Sequence, residues 1–166
     1  MPDPAADLAC ARLPLTDLGN AERWRVRFGA DFRFCAELGW LHWQGQRWKL
    51  LSEEKDRLPA EVMQSVFETV RAIRNEAALL EATGWASGEE GPIRKIEKLP
   101  KGWLEIEGRQ AWFDALPPCD MVVKTSEKGI VLLSEKVHAW GKTSEGIGKL
   151  NAVATLAKSF GDIAIK

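Results

Sequence analysis

The sequence predicts an α+β domain, mainly helical, with two small antiparallel β-hairpins. Three observations predict it. Apolar residues recur at spacings of three and four in two long stretches, Val62-Val66-Val70-Ile73-Ala77-Leu80 and Ile147-Leu150-Val153-Ala154-Ala157-Phe160, which is the signature of one buried helix face. Two other segments, 39–50 and 120–133, are extended runs folded about a glycine-containing turn. The composition is globular: 45% of the residues are hydrophobic and 28% charged, and 166 residues suffice for one domain with a sizeable core.

In chain order, residues 1–14 carry three prolines and read as a flexible lead-in to a single domain over 15–166. Thr16 or Asp17 offers a side-chain oxygen to the first turn of a helix. Leu18, Ala21, Trp24 and Phe28 then form its apolar stripe, Arg23 and Arg27 share another face, and Gly29 suits its end. Phe32 to Cys35 reads as a short strand. The run Gly39-Trp40-Leu41-His42-Trp43, the turn Gln44-Gly45-Gln46 and Arg47-Trp48-Lys49-Leu50 read as a hairpin, with Gly45 free to take a positive φ. Ser52 is placed to cap the longest helix, from Glu53 to Ala82, with Pro59 as a break or as the true first turn and Gly84 as its end. Its outer face carries Glu61, Glu68, Arg71, Arg74, Glu76 and Glu81, a solvated pattern.

Residues 87–91 form a polar loop. The segment 92–133 reads as β-rich, with Trp103 to Glu107 alternating and a second hairpin from Asp120 to Leu133. A C-terminal helix pair follows. Ser134 is expected to cap a short helix to Trp140 that breaks at Gly141, and Thr143 or Ser144 to cap the last helix, with Ile147 turned inward. The apolar Ile163-Ala164-Ile165 looks like a cut through a longer polypeptide.

Composition excludes several function classes. Basic and acidic residues number 23 and 24, so the net charge is −1 and any attraction to nucleic acid must come from a local patch. The three cysteines (Cys10, Cys35, Cys119) are odd in number and far apart, which fits a reducing, cytoplasmic setting. No apolar run approaches ~18 residues, so no membrane partner is expected. The N-terminus lacks the basic and apolar regions of a signal peptide.

Few residues suggest catalysis. Gly141-Lys142-Thr143 resembles the tail of a phosphate-binding loop, but Lys136 stands where the loop needs its first glycine. Glu105 and Glu107, with Asp114 and Asp120 nearby, could hold Mg²⁺, although a solvated strand face explains them more simply. His42 and His138 are the only histidines and have no acidic or cysteine cluster at ligand spacing. No metal or other cofactor is called for, and whether the chain is an enzyme is left open.

The informative segment is Thr16–Leu50. It holds four of the eight tryptophans (Trp24, Trp40, Trp43, Trp48) among Arg23, Arg25, Arg27, Arg33, Arg47 and Lys49. Strand alternation points Trp40 and His42 one way and Leu41 and Trp43 the other, while Trp48 and Leu50 share a face. Rings in such a hairpin commonly fill a core. If one face is open, Trp40 or Trp43 with Arg47 and Lys49 can stack a base, worth ~1–3 kcal/mol each. From Asp120 onward, seven lysines face five acids, a second, diffuse basic signal that includes Lys142 and Lys149. The candidate nucleic-acid-binding residues are therefore Arg23, Arg27, Trp40, Trp43, Arg47, Trp48, Lys49, Lys142 and Lys149.

The segment Thr16-Asp17-Leu18-Gly19-Asn20-Ala21, followed by Gly39-Trp40-Leu41-His42-Trp43-Gln44-Gly45-Gln46-Arg47-Trp48, resembles the start of a phage and plasmid primase–helicase. In that family a Thr-Asp-x-Gly-Asn-Ala helix precedes a Gly-Trp-Leu-x-Trp-x-Gly-x-x-Trp hairpin. Ala139-Trp140-Gly141-Lys142-Thr143-Ser144-Glu145 is similar to the helix pair that follows, and the likeness covers about 100 residues. The resemblance implies a poxvirus-type N-terminal domain preceding a superfamily-3 helicase. Such a domain would be non-catalytic and would help position single-stranded or forked DNA. Its partners would be a downstream helicase domain and, in the full-length protein, further copies of itself. Residues 92–133 depart from the family pattern and look inserted. The alternative is a small protein-interaction adaptor that uses exposed tryptophans as anchors and binds no nucleic acid.

Overall fold

A computed structural model describes residues 4–51, 58–83, 85–86, 92–93, 122–126 and 129–165. The expected cap at Ser52, the helix stop at Gly84, the polar loop 87–91, the alternating Trp103–Glu107 run and the acidic residues Glu105, Glu107, Asp114 and Asp120 lie outside the described residues.

The fold is α+β and mainly helical, as the periodicities predict. Its elements are helices α1 (Pro4–Cys10), α2 (Asp17–Phe28), α3 (Ala60–Thr83), α4 (Leu133–Ser144) and α5 (Ile147–Ala157), with strands β1 (Phe32–Cys35), β2 (Gly39–Trp43), β3 (Trp48–Leu50), β4 (Trp85–Ala86), β5 (Pro92–Ile93), β6 (Val122–Ser126), β7 (Gly129–Leu132) and β8 (Ala164–Ile165). The chain divides into two compact units, one of residues 1–12 and 73–140, the other of residues 13–72 and 141–166.

In the first unit, residues 4–10 are helical where a loose lead-in was expected. Pro4 stands at the first helical position, where its missing N–H costs nothing, and alanines follow. β4 pairs with β5, and β6 with β7, both antiparallel; the second pair closes at Ser126 and Gly129, where the sequence places its hairpin turn. The start of α4 is fixed by Glu135, whose carboxylate accepts the Leu132 N–H at 2.9 Å, the reciprocal half of a capping box. Glu76, expected on the solvated face of α3, is buried instead.

The second unit holds the aromatic core. Thr16 caps α2 as expected, its hydroxyl accepting the Gly19 N–H at 3.0 Å. The strand order is β3-β2-β1-β8, with three antiparallel strands and β8 parallel to β1. The tryptophan hairpin is therefore the outer part of a four-stranded sheet, and Gly45 in its turn has φ +82°. In the apolar Ile163-Ala164-Ile165, Ile163 is fully buried in this unit, and the next two residues form β8 and are exposed. One sheet face lies on a core of Trp24, Phe32, Trp40, Val62, Val66, Val70, Leu150, Val153 and Ala157. Trp24 and Trp40 meet edge to face at 5.8 Å between ring centroids, and Phe34 meets Trp40 in the same way at 5.3 Å. The Trp24 indole N–H is satisfied by the Ser65 hydroxyl at 2.8 Å.

α4 and α5 depart from expectation in several details, the first being that α4 begins at Leu133, so Ser134 lies within its first turn and does not cap it. α4 runs unbroken through Gly141, which is buried; a glycine inside a helix costs only ~1 kcal/mol, and packing outweighs it. The last helix is capped by Gly146, not by Thr143 or Ser144, and Ile147 is 67% exposed. Ser144 is buried because its hydroxyl accepts a hydrogen bond from the Asn20 side-chain amide at 2.9 Å. α3 begins at Ala60, and the Pro59 carbonyl accepts its first hydrogen bond, from Met63.

Gly19 has a specific reason. A Cβ there would lie 2.0 Å from the Pro14 carbonyl oxygen, a backbone atom that cannot rotate away. Gly19→Ala gains ~1 kcal/mol of helix propensity but must displace the 13–14 segment, an overpacking cost of about 1–3 kcal/mol. The expected result is a net loss of stability, read as a lower urea midpoint.

Candidate nucleic-acid interface

The open face of the sheet assembles from cross-strand register. Leu41 pairs with both Arg33 and Leu50, and Trp43 pairs with Trp48, so these five side chains project from the same side. The opposite side carries Phe32, Phe34, Trp40 and His42 toward the core. Trp43 is 36% exposed, Trp48 39% and Leu50 51%. The Trp43 and Trp48 rings lie 5.2 Å apart at 53°, and the Arg33 guanidinium carbon stands 5.1 Å from the Trp48 ring centre, a cation–π contact. Arg33 is held in place because its Nη1 donates to the carbonyls of Gly29 and Phe32, each at 2.6 Å. Arg47 is exposed in the turn between the two tryptophan strands.

The structure sorts the candidate residues sharply. Trp43 and Trp48 come together on the open face, and Arg47 is exposed in the turn that joins their strands. Arg23 and Trp40 are corrected: both are fully buried and cannot touch a strand in solvent. Arg23 donates to the carbonyls of Pro14 and Leu13 at 2.8 and 2.9 Å, so it fastens the segment before α2 to the helix. Lys49 leaves the open face because its neighbours Trp48 and Leu50 take it; it points the other way and pairs with Glu61 at 3.2 Å. Lys149 pairs with Asp17 at 3.0 Å. Lys142 is exposed on α4, and Arg27 is half-buried on α2; neither lies on the sheet. Arg33 was missed. Its parity with Leu41 depends on β1 joining the hairpin, which the sequence of the hairpin alone does not reveal.

Beside Arg33 lies an open cleft of about 660 Å³ bordered by Glu22, Arg25, Gly29, Ala30 and Asp162. The Arg25 Nε donates to Asp162 Oδ2 at 2.8 Å. Burial pushes the Asp162 carboxyl up, but the hydrogen bond from Arg25, a backbone hydrogen bond and the charges of Arg25 and Arg33 outweigh it, leaving the pKa below its ordinary value. Glu61 is lowered too, by a backbone hydrogen bond first and then by Lys49, against a smaller effect of burial.

Both shifts have the same sign in pH. A carboxyl whose folded pKa is depressed stabilises the fold above its unfolded value and loses that contribution as pH falls through the folded one. Both pairs are almost half exposed, so the effect is small. Urea midpoints are expected to drop slightly between about pH 5 and about pH 3, and the double variant Glu61→Gln/Asp162→Asn to flatten that part of the drop.

Among the described residues no group of three His, Cys, Asp or Glu side chains could hold a metal ion, and no helix is long and apolar enough to cross a membrane. Comparison with protein-family models, with curated proteins and with solved structures gives no match. The face offers two adjoining indoles and the Arg33 guanidinium, a surface suited to stacking bases and attracting phosphates.

Proposed function

We propose that this chain is a non-catalytic module of a phage or prophage primase–helicase and takes single-stranded DNA on the open face of its four-stranded sheet. The observation that carries the reading is the exposed Trp43–Trp48 pair with the Arg33 guanidinium over the Trp48 ring. Every base has a π-face, so such a platform binds without reading sequence. The primase–helicase motifs in Thr16–Leu50 and Ala139–Glu145 support the same reading, and with it a cytoplasmic setting, a downstream helicase domain and self-assembly in the full-length protein.

The test is tryptophan fluorescence during titration with oligothymidylate. Quenching at low salt that weakens steeply as salt rises is expected, because phosphate contacts release counterions. The apolar share of the face, Leu41 and Leu50, favours the adaptor reading instead. No quenching at low salt, with saturable binding to a protein partner that Leu50→Asp abolishes, would establish it.

A further inference from the structure

The cleft next to Arg33 has a chemistry of its own. Arg33 belongs to two surfaces at once, since its guanidinium stands over Trp48 and the residue also lines the cleft, so the cleft adjoins the stacking platform. Arg25 is the second cation there. Asp162 engages it through Nε, on the side of the guanidinium, and the end of the planar fork, with one N–H from each amino group, points elsewhere. The Phe160 ring lies 5.3 Å from the Arg25 guanidinium carbon and backs the fork from one side. A guanidinium held in this way is oriented before any ligand arrives, which suits bidentate contact with a phosphate. The carbonyls at the end of α2 would repel an anion, but Arg33 Nη1 covers the one at Gly29. Two carboxylates line the cleft as well: Asp162 is engaged by Arg25, and Glu22 is the second charge that opposes an anion.

We infer that this cleft is a subsite for the phosphodiester backbone of the strand whose bases stack on Trp43 and Trp48, with Arg25 as its phosphate ligand and Asp162 as the residue that positions Arg25. The inference rests on the single-strand reading above. It makes the binding surface directional: the strand leaves the platform past Arg33 toward the end of α2, not past the Gln44–Arg47 turn.

The full chain is titrated with two probes, an oligothymidylate and an abasic oligomer that carries the same backbone without bases. The Arg25→Ala variant is expected to keep the quenching by oligothymidylate while the slope of log K against log salt flattens by about 0.7, one phosphate for a single strand. Its binding of the abasic oligomer should fall at least severalfold. Glu22→Gln, which removes the opposing charge, should tighten both. Arg25→Lys, which keeps the charge and the packing but loses the fork, should recover the slope and only part of the affinity. An unchanged slope and unchanged abasic binding in Arg25→Ala and Glu22→Gln, with quenching intact, would overturn the subsite and leave the platform standing. Absence of quenching in the unaltered chain would overturn the platform itself.

Discussion

Replacing Trp43 and Trp48 together with alanine is expected to abolish oligothymidylate binding while leaving the protein folded. Each stacked base is worth ~1–3 kcal/mol, so two lost platforms correspond to a drop in affinity of at least about 30-fold. Stability should change little, because both rings are more than a third exposed and their main contact is with each other. Fluorescence anisotropy of a labelled oligonucleotide measures the first quantity, and a urea titration followed by circular dichroism measures the second. A double variant that binds as tightly as the parent places the DNA elsewhere. One that unfolds makes the pair part of the core.

Trp40→Ala is expected to do the reverse. The ring is fully buried among Trp24, Phe32 and Phe34, so its removal leaves a large cavity and costs about 3–5 kcal/mol, a large share of the stability of a domain this size. Trp40→Phe should cost much less. It keeps an aromatic body in the cavity, and the buried Trp40 Nε1 has no hydrogen-bond partner among the described residues, so none is lost. Trp24→Phe should cost more than Trp40→Phe because it leaves the buried Ser65 hydroxyl without the indole. Urea midpoints order the three variants. A Trp40→Ala protein with the parent's midpoint contradicts the core described above.

These two results separate what the sequence could and could not convey. Local signals were legible. The Thr16 cap, the helix that follows, the hairpin about Gly45 and the apolar stripe of α3 all depend on residues within a few positions of one another. Parity within one strand was legible too, and it put Trp40 and Trp43 on opposite faces. Which face is covered was not, because that depends on α3 and α5, far away in the chain. Arg23 read as a nucleic-acid-binding candidate on a face away from the apolar stripe for the same reason. Its partners are the carbonyls of Leu13 and Pro14, and only the path of that segment across α2 brings them within reach.

The motif residues divide likewise. Gly19 and Asn20 lie in the first quoted motif, and their roles are architectural: Gly19 admits the Pro14 carbonyl, and Asn20 bonds Ser144 of the second motif. The two motifs therefore meet in space, and Asp17 of the first also pairs with Lys149 on the following helix. Ile147 and Gly141 were misread because each follows a local rule that packing overrides. Asp162 gave no signal, since its partner Arg25 is 137 residues away.

The most direct measurement is a pair of proton–nitrogen spectra of the indole N–H groups, with and without oligothymidylate at low salt. If the exposed sheet face is the contact surface, the signals of Trp43 and Trp48 shift or broaden while those of Trp24 and Trp40 stay where they are. If the two outward-facing indoles do not move while DNA is bound, or if nothing moves at any oligonucleotide concentration, the face is not where this protein meets nucleic acid.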